Sequence, residues 1–320
     1  MLISVVIPTY NRSRLLPETI PALAGMRVSE GVTYEIIFID DGSQDATQSI
    51  LEDTVRRFPG KFRYIRNPPS GGGSVPRNTG IRAARGEVIL MIDDDVEPHD
   101  DLVLQHAAFH ARYPEPHYAA LGVVYTPDQL RSDPMSRFYA FDYESIQELE
   151  RLNYMYFWTG NVSVKREFML AAGMFDEDFL YYEDVLCGHR MEQNGMHLRF
   201  LPEARGKHFH QMTPSGVPGK GFLLGRWQCA FLERVGWDRE ALIRVDVLCP
   251  GLPPLLLLKR AAARTAFWFL DNPLTIRVLE SLGAPRSERS WLTDLYYGII
   301  HYRNMLAGYK EAKKKEAKKK

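Results

Sequence analysis

The sequence predicts an α/β fold, a mostly parallel sheet flanked by helices, followed by a helical C-terminal region. Three observations carry this. Strand and helix signals alternate through residues 1–96. Strands that alternate with helices pair in parallel and bury both faces under those helices. From residue 221 to residue 309 the pattern is helical alone, broken by prolines. The 320 residues are 45% hydrophobic and 25% charged, an ordinary globular balance that excludes a disordered, collagenous or coiled-coil chain.

The elements follow in order. Residues 2–8 form a β-branched strand run, and 12–24 carry helical spacing through Leu15, Leu16, Ile20 and Leu23. Residues 34–39 read as a second strand, and 45–58 as a helix with Asp45 as its N-cap. A third strand at 62–66 precedes the Gly-rich 70–74, a helix near 76–85 and a buried strand at 88–92. Residues 97–155 read as helix and loop around an apolar strand at 118–125. A helix near 166–172, a second from 181 to 194 stopped by Gly195, and a strand near 198–202 complete this part.

Charge and cysteine content narrow the classes further. Lys+Arg and Asp+Glu are each 40, so no global basic footprint for nucleic acid exists. Residues 310–320 hold seven Lys and two Glu, a net +5 against −5 for residues 1–309. A basic tail on an acidic body suits phosphate or an anionic membrane, if the tail is native and not an added one. Three cysteines without CxxC spacing argue against a disulfide framework or structural zinc and for a reducing compartment. No signal peptide is expected at the N-terminus, and the proline-broken apolar stretch 247–258 is too short to span a bilayer.

In parallel sheets, ligands bind beyond the carboxyl ends of the strands. Strand one ends there in Pro8-Thr9-Tyr10-Asn11, strand two in Asp40-Asp41-Gly42-Ser43 and strand four in Asp93-Asp94-Asp95. Five carboxylates at one edge repel by several kcal/mol at intermediate dielectric, so a cation or donor-rich ligand is needed. Three successive carboxylates exceed what one helix cap uses.

Together with Val5-Val6-Ile7, Pro76-Arg77-Asn78-Thr79-Gly80, Thr159-Gly160-Asn161 and Glu183-Asp184, these motifs stand in an order that resembles the family 2 glycosyltransferases of GT-A fold. The resemblance covers about residues 1–212. It implies a nucleotide-sugar-binding part over 1–96 and an acceptor side over 97–212, with a helical region over 213–309 and the Lys-rich tail beyond. It also implies sugar transfer with inversion from a nucleotide-diphospho-sugar, and a divalent metal, Mn²⁺ or Mg²⁺. Such a metal takes oxygen ligands from carboxylates and phosphates and neutralises the departing diphosphate.

By that resemblance Asp95 is the metal ligand, and Asp93 and Asp94 hold ribose or orient the metal's waters. Asp41 binds the base, Tyr10 stacks on it, and Pro8 and Thr9 add backbone contacts. Arg77 and Asn78 lie near the nucleotide. Asp184 is the base that deprotonates the acceptor hydroxyl, kept ionised by its helix N-terminus, with Glu183 on acceptor or sugar hydroxyls. His208 and His210, at i and i+2, share one strand face and compete for a further metal position, His208 being favoured. Trp158, Gly160 and Asn161 are expected on the acceptor or sugar side, Trp158 as a platform or as core. Residues 70–74 resemble a phosphate cradle but lack its Lys-Ser/Thr, and read as a flexible turn.

Apolar runs after residue 212 interleave with Lys259, Arg260, Arg264, Arg277, Arg286 and Arg303. They suit either an interfacial helix on a membrane or a helical subdomain packed on the core. The expected partners are a UDP-sugar ahead of other donors, and a glycan, lipid-linked or protein acceptor. The expected location is cytoplasmic, at the inner face of the plasma membrane. A catalytically silent nucleotide-sugar binder or membrane scaffold is the rival from another class. A dehydrogenase is disfavoured by the missing GxGxxG after strand one, and a nucleotidyltransferase would release pyrophosphate instead.

Overall fold

A computed structural model describes residues 1–130, 141, 143–209, 213, 215–238, 241, 265, 267, 269–283 and 290–317. The chain divides into two units, Met1–Pro127 with Ala140–His210, and Asp128–Tyr139 with Gln211–Lys320. The first unit opens with β1 (Leu2–Thr9), α1 (Leu16–Ala24), β2 (Thr33–Asp40), α2 (Thr47–Arg57), β3 (Phe62–Arg66), α3 (Ser74–Ala83) and β4 (Val88–Ile92). It continues through β5 (Val96–Pro98), α4 (Leu102–Arg112), β6 (Tyr118–Tyr125), β7 (Asn161–Lys165), α5 (Arg166–Ala171), α6 (Glu183–Gln193) and β8 (His197–His208).

All eight strands join one sheet in the order β3-β2-β1-β4-β7-β6-β8-β5. The first four strands pair in parallel, as alternation with helices requires. Beyond β4 the sheet turns mixed: β7 is antiparallel to β4 and β6, β8 is parallel to β6, and β5 is antiparallel to β8. Side chains alternate across the sheet and build two cores. Ile3, Val5, Ile7, Ile36, Phe38, Val88, Leu90 and Ile92 face α1, α2 and α4. Val6, Ile37, Ile39, Ile89 and Met91 face α3, α5 and α6. Each such side chain stabilises the fold by about 1.5–3 kcal/mol when fully buried. That apolar frame lets a cluster of carboxylates be held at its edge.

Two helix boundaries differ from the sequence expectation. The first helix starts at Leu16, because Asn11 takes a left-handed φ of 53° and Arg12 turns back toward the sheet edge. Asp45 stands two residues ahead of α2 and accepts the amides of both Ser13 and Thr47, joining two loops instead of capping one helix. β8 runs from His197 to His208, longer than the short strand expected, because its far end pairs with β5.

The second unit holds α7 (Gly216–Arg234), α8 (Pro273–Ser281) and α9 (Ser290–Ala317). Asn272 caps α8 through the Thr275 amide, and Pro273 occupies its first turn, where no amide donor is needed. Among the described residues, no helix is long and apolar enough to cross a membrane. The proline-rich breaks at 250, 253, 254 and 285, and the stretch 255–264, lie outside the described residues.

Candidate functional site

The carboxyl ends of β1, β2 and β4 bring their loops together, and the antiparallel β7 adds its first residue to the same edge through the Ile92–Asn161 register. Asp93, Asp94 and Asp95 form the turn between β4 and β5, closed by the Val96 amide on the Asp93 carbonyl. β5 lies beside the end of β8 with Val96 opposite His208. That register carries His208 to the acid cluster, its Nε2 standing 3.3 Å from Asp95 Oδ1. One ligand atom each from Asp93, Asp95 and His208 lies within 4.8 Å of the others. Two carboxylates and an imidazole offer oxygen and nitrogen donors of the kind a divalent cation takes. His210 lies outside the described residues.

Each remaining carboxylate has its own partner. Arg12 donates from Nε to Asp94 at 2.9 Å and brings Nη2 within 3.6 Å of Asp95. Burial pushes Asp94 up to about 7, with Arg12 pulling against it and Asp95 adding to it. Asp40 is wholly buried and receives Tyr64 Oη, Arg66 Nη1 and the Ser43 amide, a structural knot. Arg12 and Arg66 were not singled out from the sequence. The signal existed: a basic residue at the same strand edge as five acids has to meet one of them.

Asp41 accepts the Ser70 amide and hydroxyl and the Gly71 amide, at 2.7–3.1 Å. The Gly-rich turn expected to be flexible is therefore tied to the end of β2. Gly42 sits at φ +81° with Pro69 packed where a Cβ would be, so the turn needs glycine there. Tyr10 is half exposed above this edge, while Pro8 and Thr9 end β1, and the Thr9 carbonyl accepts the Asp41 amide.

Asn78 and Asn161 both bond within the protein. The Asn78 side chain pairs with the Phe175 backbone in both directions and donates to Glu177, which bolts α3 to the loop before α6. The Asn161 side chain donates to the carbonyls of Val123 and Ala204 and accepts from His106 Nε2 at 2.9 Å. His106, Ser163 and His110 continue that chain, with both imidazoles held neutral because burial pushes their pKa values down. Asn78 and Asn161 therefore have their side chains committed inside the protein. Gly160 does reach the cluster, since a Cβ there would stand 3.5 Å from Asp93 Oδ2. Trp158 is half buried among Tyr156, Tyr143 and Phe141, and the Phe141 ring in turn lies 6.3 Å from that of His208.

Glu183 and Asp184 open α6, behind Tyr182 in a left-handed turn at φ 63°. Burial raises the Glu183 carboxyl, and Arg77 pulls it down. Asp184 is pushed up to about 7, first by burial and then by the Glu183 charge. Desolvation outweighs the opposing pull of the helix N-terminus and of the Val185 amide bonded to Oδ1. Arg77 is 7% exposed and joins the two halves of the site, with Nη2 on Asp93 and Nη1 on Glu183, both at 3.1 Å.

The sequence model described as "Glycosyl transferase family 2" matches residues 4–171, and "Glycosyl transferase family group 2" matches 88–278. Validoxylamine A glucosyltransferase of Streptomyces hygroscopicus subsp. limoneus is 29% identical over 238 residues, covering 64% of this chain and 51% of that one. Chondroitin synthase of Escherichia coli is 25% identical over 247 residues, 66% of this chain and 35% of that one. The chain thus spans about half, or less, of these relatives' lengths. Among solved structures, mannosyltransferase PcManGT of Pyrobaculum calidifontis, in complex with GDP-Man and Mn²⁺, superimposes with a TM-score of 0.62 at 18% identity, covering 95% of this chain and 86% of that one. S. aureus TarS 1-349 in complex with UDP gives a TM-score of 0.58 at 17% identity, covering 97% and 92%. These likenesses show the GT-A fold.

Proposed function

Because the chain belongs to glycosyl transferase family 2, we propose that it moves a sugar, with inversion, from a nucleotide-diphospho-sugar to an acceptor hydroxyl. The observation that carries this is one edge joining a metal-ligand set to a half-buried carboxyl pair. Asp93, Asp95 and His208 would hold the cation, Mn²⁺ or Mg²⁺. Bound there, it supplies Lewis-acid neutralisation of the departing nucleoside diphosphate. Tyr10, Pro8, Thr9 and Asp41 line the donor side, with Tyr10 as a stacking face for the base. Asp94, held by Arg12, keeps the acid turn in shape.

Asp184 acts as the general base. Its Oδ1 accepts the Val185 amide, which leaves Oδ2 to take the proton from the acceptor hydroxyl. A pKa of about 7 suits that task, because a base poised near the working pH is both ionised and able to hold the proton. Trp158 and Gly160 belong to the acceptor or sugar side in this reading. A UDP-sugar is the first donor to try, since a neighbour in fold binds UDP, although another binds GDP-Man. Relatives named chondroitin synthase and poly(ribitol-phosphate) beta-glucosyltransferase support a polymeric glycan acceptor of the cell surface; a lipid-linked acceptor is the other one to try. We read the enzyme as cytoplasmic, working at the inner membrane face.

The test is nucleoside diphosphate release from a panel of UDP-, GDP- and dTDP-sugars with Mn²⁺ or Mg²⁺, with and without glycan and lipid-linked acceptors. Release from one donor, abolished by EDTA and by Asp95→Ala, is expected. Donor binding without turnover on every acceptor would instead favour a silent nucleotide-sugar binder.

A further inference from the structure

Arg77 has more contact with protein carboxylates than a nucleotide ligand needs. Its fork is planar and rigid, with Nη1 donating to Glu183 Oε1 and Nη2 to Asp93 Oδ1. The two acids come from the start of α6 and the end of β4, and nothing in their local chain sets their separation. The Phe175 ring lies 5.7 Å from the guanidinium carbon, and only Nε is without a hydrogen-bond partner. Gly73 makes the seat possible, because a Cβ there would collide with Arg77 Nη1. Gly73 in turn follows the turn that Asp41 ties down through Ser70 and Gly71.

We propose that Arg77 is a positioning residue: it fixes the spacing between the metal-ligand turn at Asp93 and the base Asp184, with Glu183 as its anchor rather than as a ligand for acceptor or sugar. This rests on the reading of Asp184 as base. Two like charges would otherwise repel across the cleft, and the fork converts that repulsion into a defined distance. Glu183 precedes Asp184 directly, and the strained turn at Tyr182 leaves the start of α6 dependent on that anchor. A lysine keeps the charge but cannot span both carboxylates in one plane.

The test uses the full chain with Arg77→Lys, Glu183→Gln and the double variant. Calorimetric titration with UDP and GDP in the presence of Mn²⁺ is set beside kcat. We expect Arg77→Lys to hold nucleotide affinity within about threefold while kcat falls about 10²-fold, the pattern of lost transition-state geometry. We also expect the double variant to be no slower than the slower single one, as two members of one unit behave. A tenfold or greater loss of nucleotide affinity with kcat kept, or additive losses in the double variant, would overturn the proposal in favour of a nucleotide ligand.

Should Arg77→Lys not fold, Gly73→Ala displaces the fork without changing its charge, and an unaltered kcat there would equally overturn it. Hydrogen exchange, read without substrate, separates this proposal from the functional one. Faster exchange over both 93–96 and 181–186 in Arg77→Lys supports the strut even if no sugar is ever transferred, and unchanged exchange at both defeats it.

Discussion

Asp184 shows how far a residue's chemistry departs from its identity. The ordinary Asp value of 3.8 is raised to about 7 by burial and by Glu183, so the carboxyl we propose as the base titrates within the physiological range. Its sign can be worked out in both directions. Proton uptake disables a base, so kcat/KM should rise with pH and level off above about 7, since that ratio reports the free enzyme. The folded state binds this proton more tightly than the unfolded chain, so the group's contribution to stability is full below the ordinary value and declines as pH rises through about 7. Asp184→Asn should abolish that acid limb and lower kcat by about 10²–10⁴-fold. A profile flat from pH 5.5 to 8.5 would contradict the assignment.

At the scale of elements, glycine decides how α7 and α9 pack. A Cβ at Gly225 would strike the Met305 backbone, one at Gly308 the Phe222 backbone, and one at Gly221 would stand 2.6 Å from the His301 carbonyl oxygen. Backbone cannot yield as a flexible side chain does, so Gly225→Ala should force the helices apart and destabilise by about 1–3 kcal/mol. Gly219 lies on the same helix with nothing within 4 Å of its added Cβ. Gly219→Ala should therefore stabilise by about 0.5–1 kcal/mol through helix propensity alone. Thermal unfolding of the pair gives the comparison, and equal Tm shifts of one sign would refute it.

At the scale of the whole molecule, surface chemistry bears on location. Leu274, Val278 and Leu282 are exposed at four-residue spacing on and just after α8, and Phe269 and Trp291 are exposed on residues that flank it. A helical apolar face with an aromatic neighbour, on a chain carrying a +5 tail, suits the surface of an anionic bilayer. We expect co-sedimentation with vesicles containing phosphatidylglycerol and much less with phosphatidylcholine alone. Leu274→Glu with Val278→Glu should release the protein, and wild-type protein left in the supernatant of both vesicle types would rule membrane contact out.

Much of this was legible in the residues alone. Apolar runs specify strands β1 to β4, local pattern specifies α1 to α3, α5 and α6, and Asp93–Asp95 announce themselves because charge after an apolar strand is costly unless it is used. What the residues could not reveal was partnership. The side chains of Asn78 and Asn161 bond to Phe175, Glu177, His106 and Ala204, partners the sequence does not show. Arg12 becomes the counterion of Asp94 only because the chain reverses at Asn11. His208 meets Asp95 only because β5 pairs with β8 in one register. Local chemistry is written along the chain and sets which groups can react. Charge compensation, desolvation and distance depend on residues tens of positions away, here 106 between Arg77 and Glu183. Only the closed sheet brings those residues together, and so only the tertiary structure decided which partner each carboxylate has.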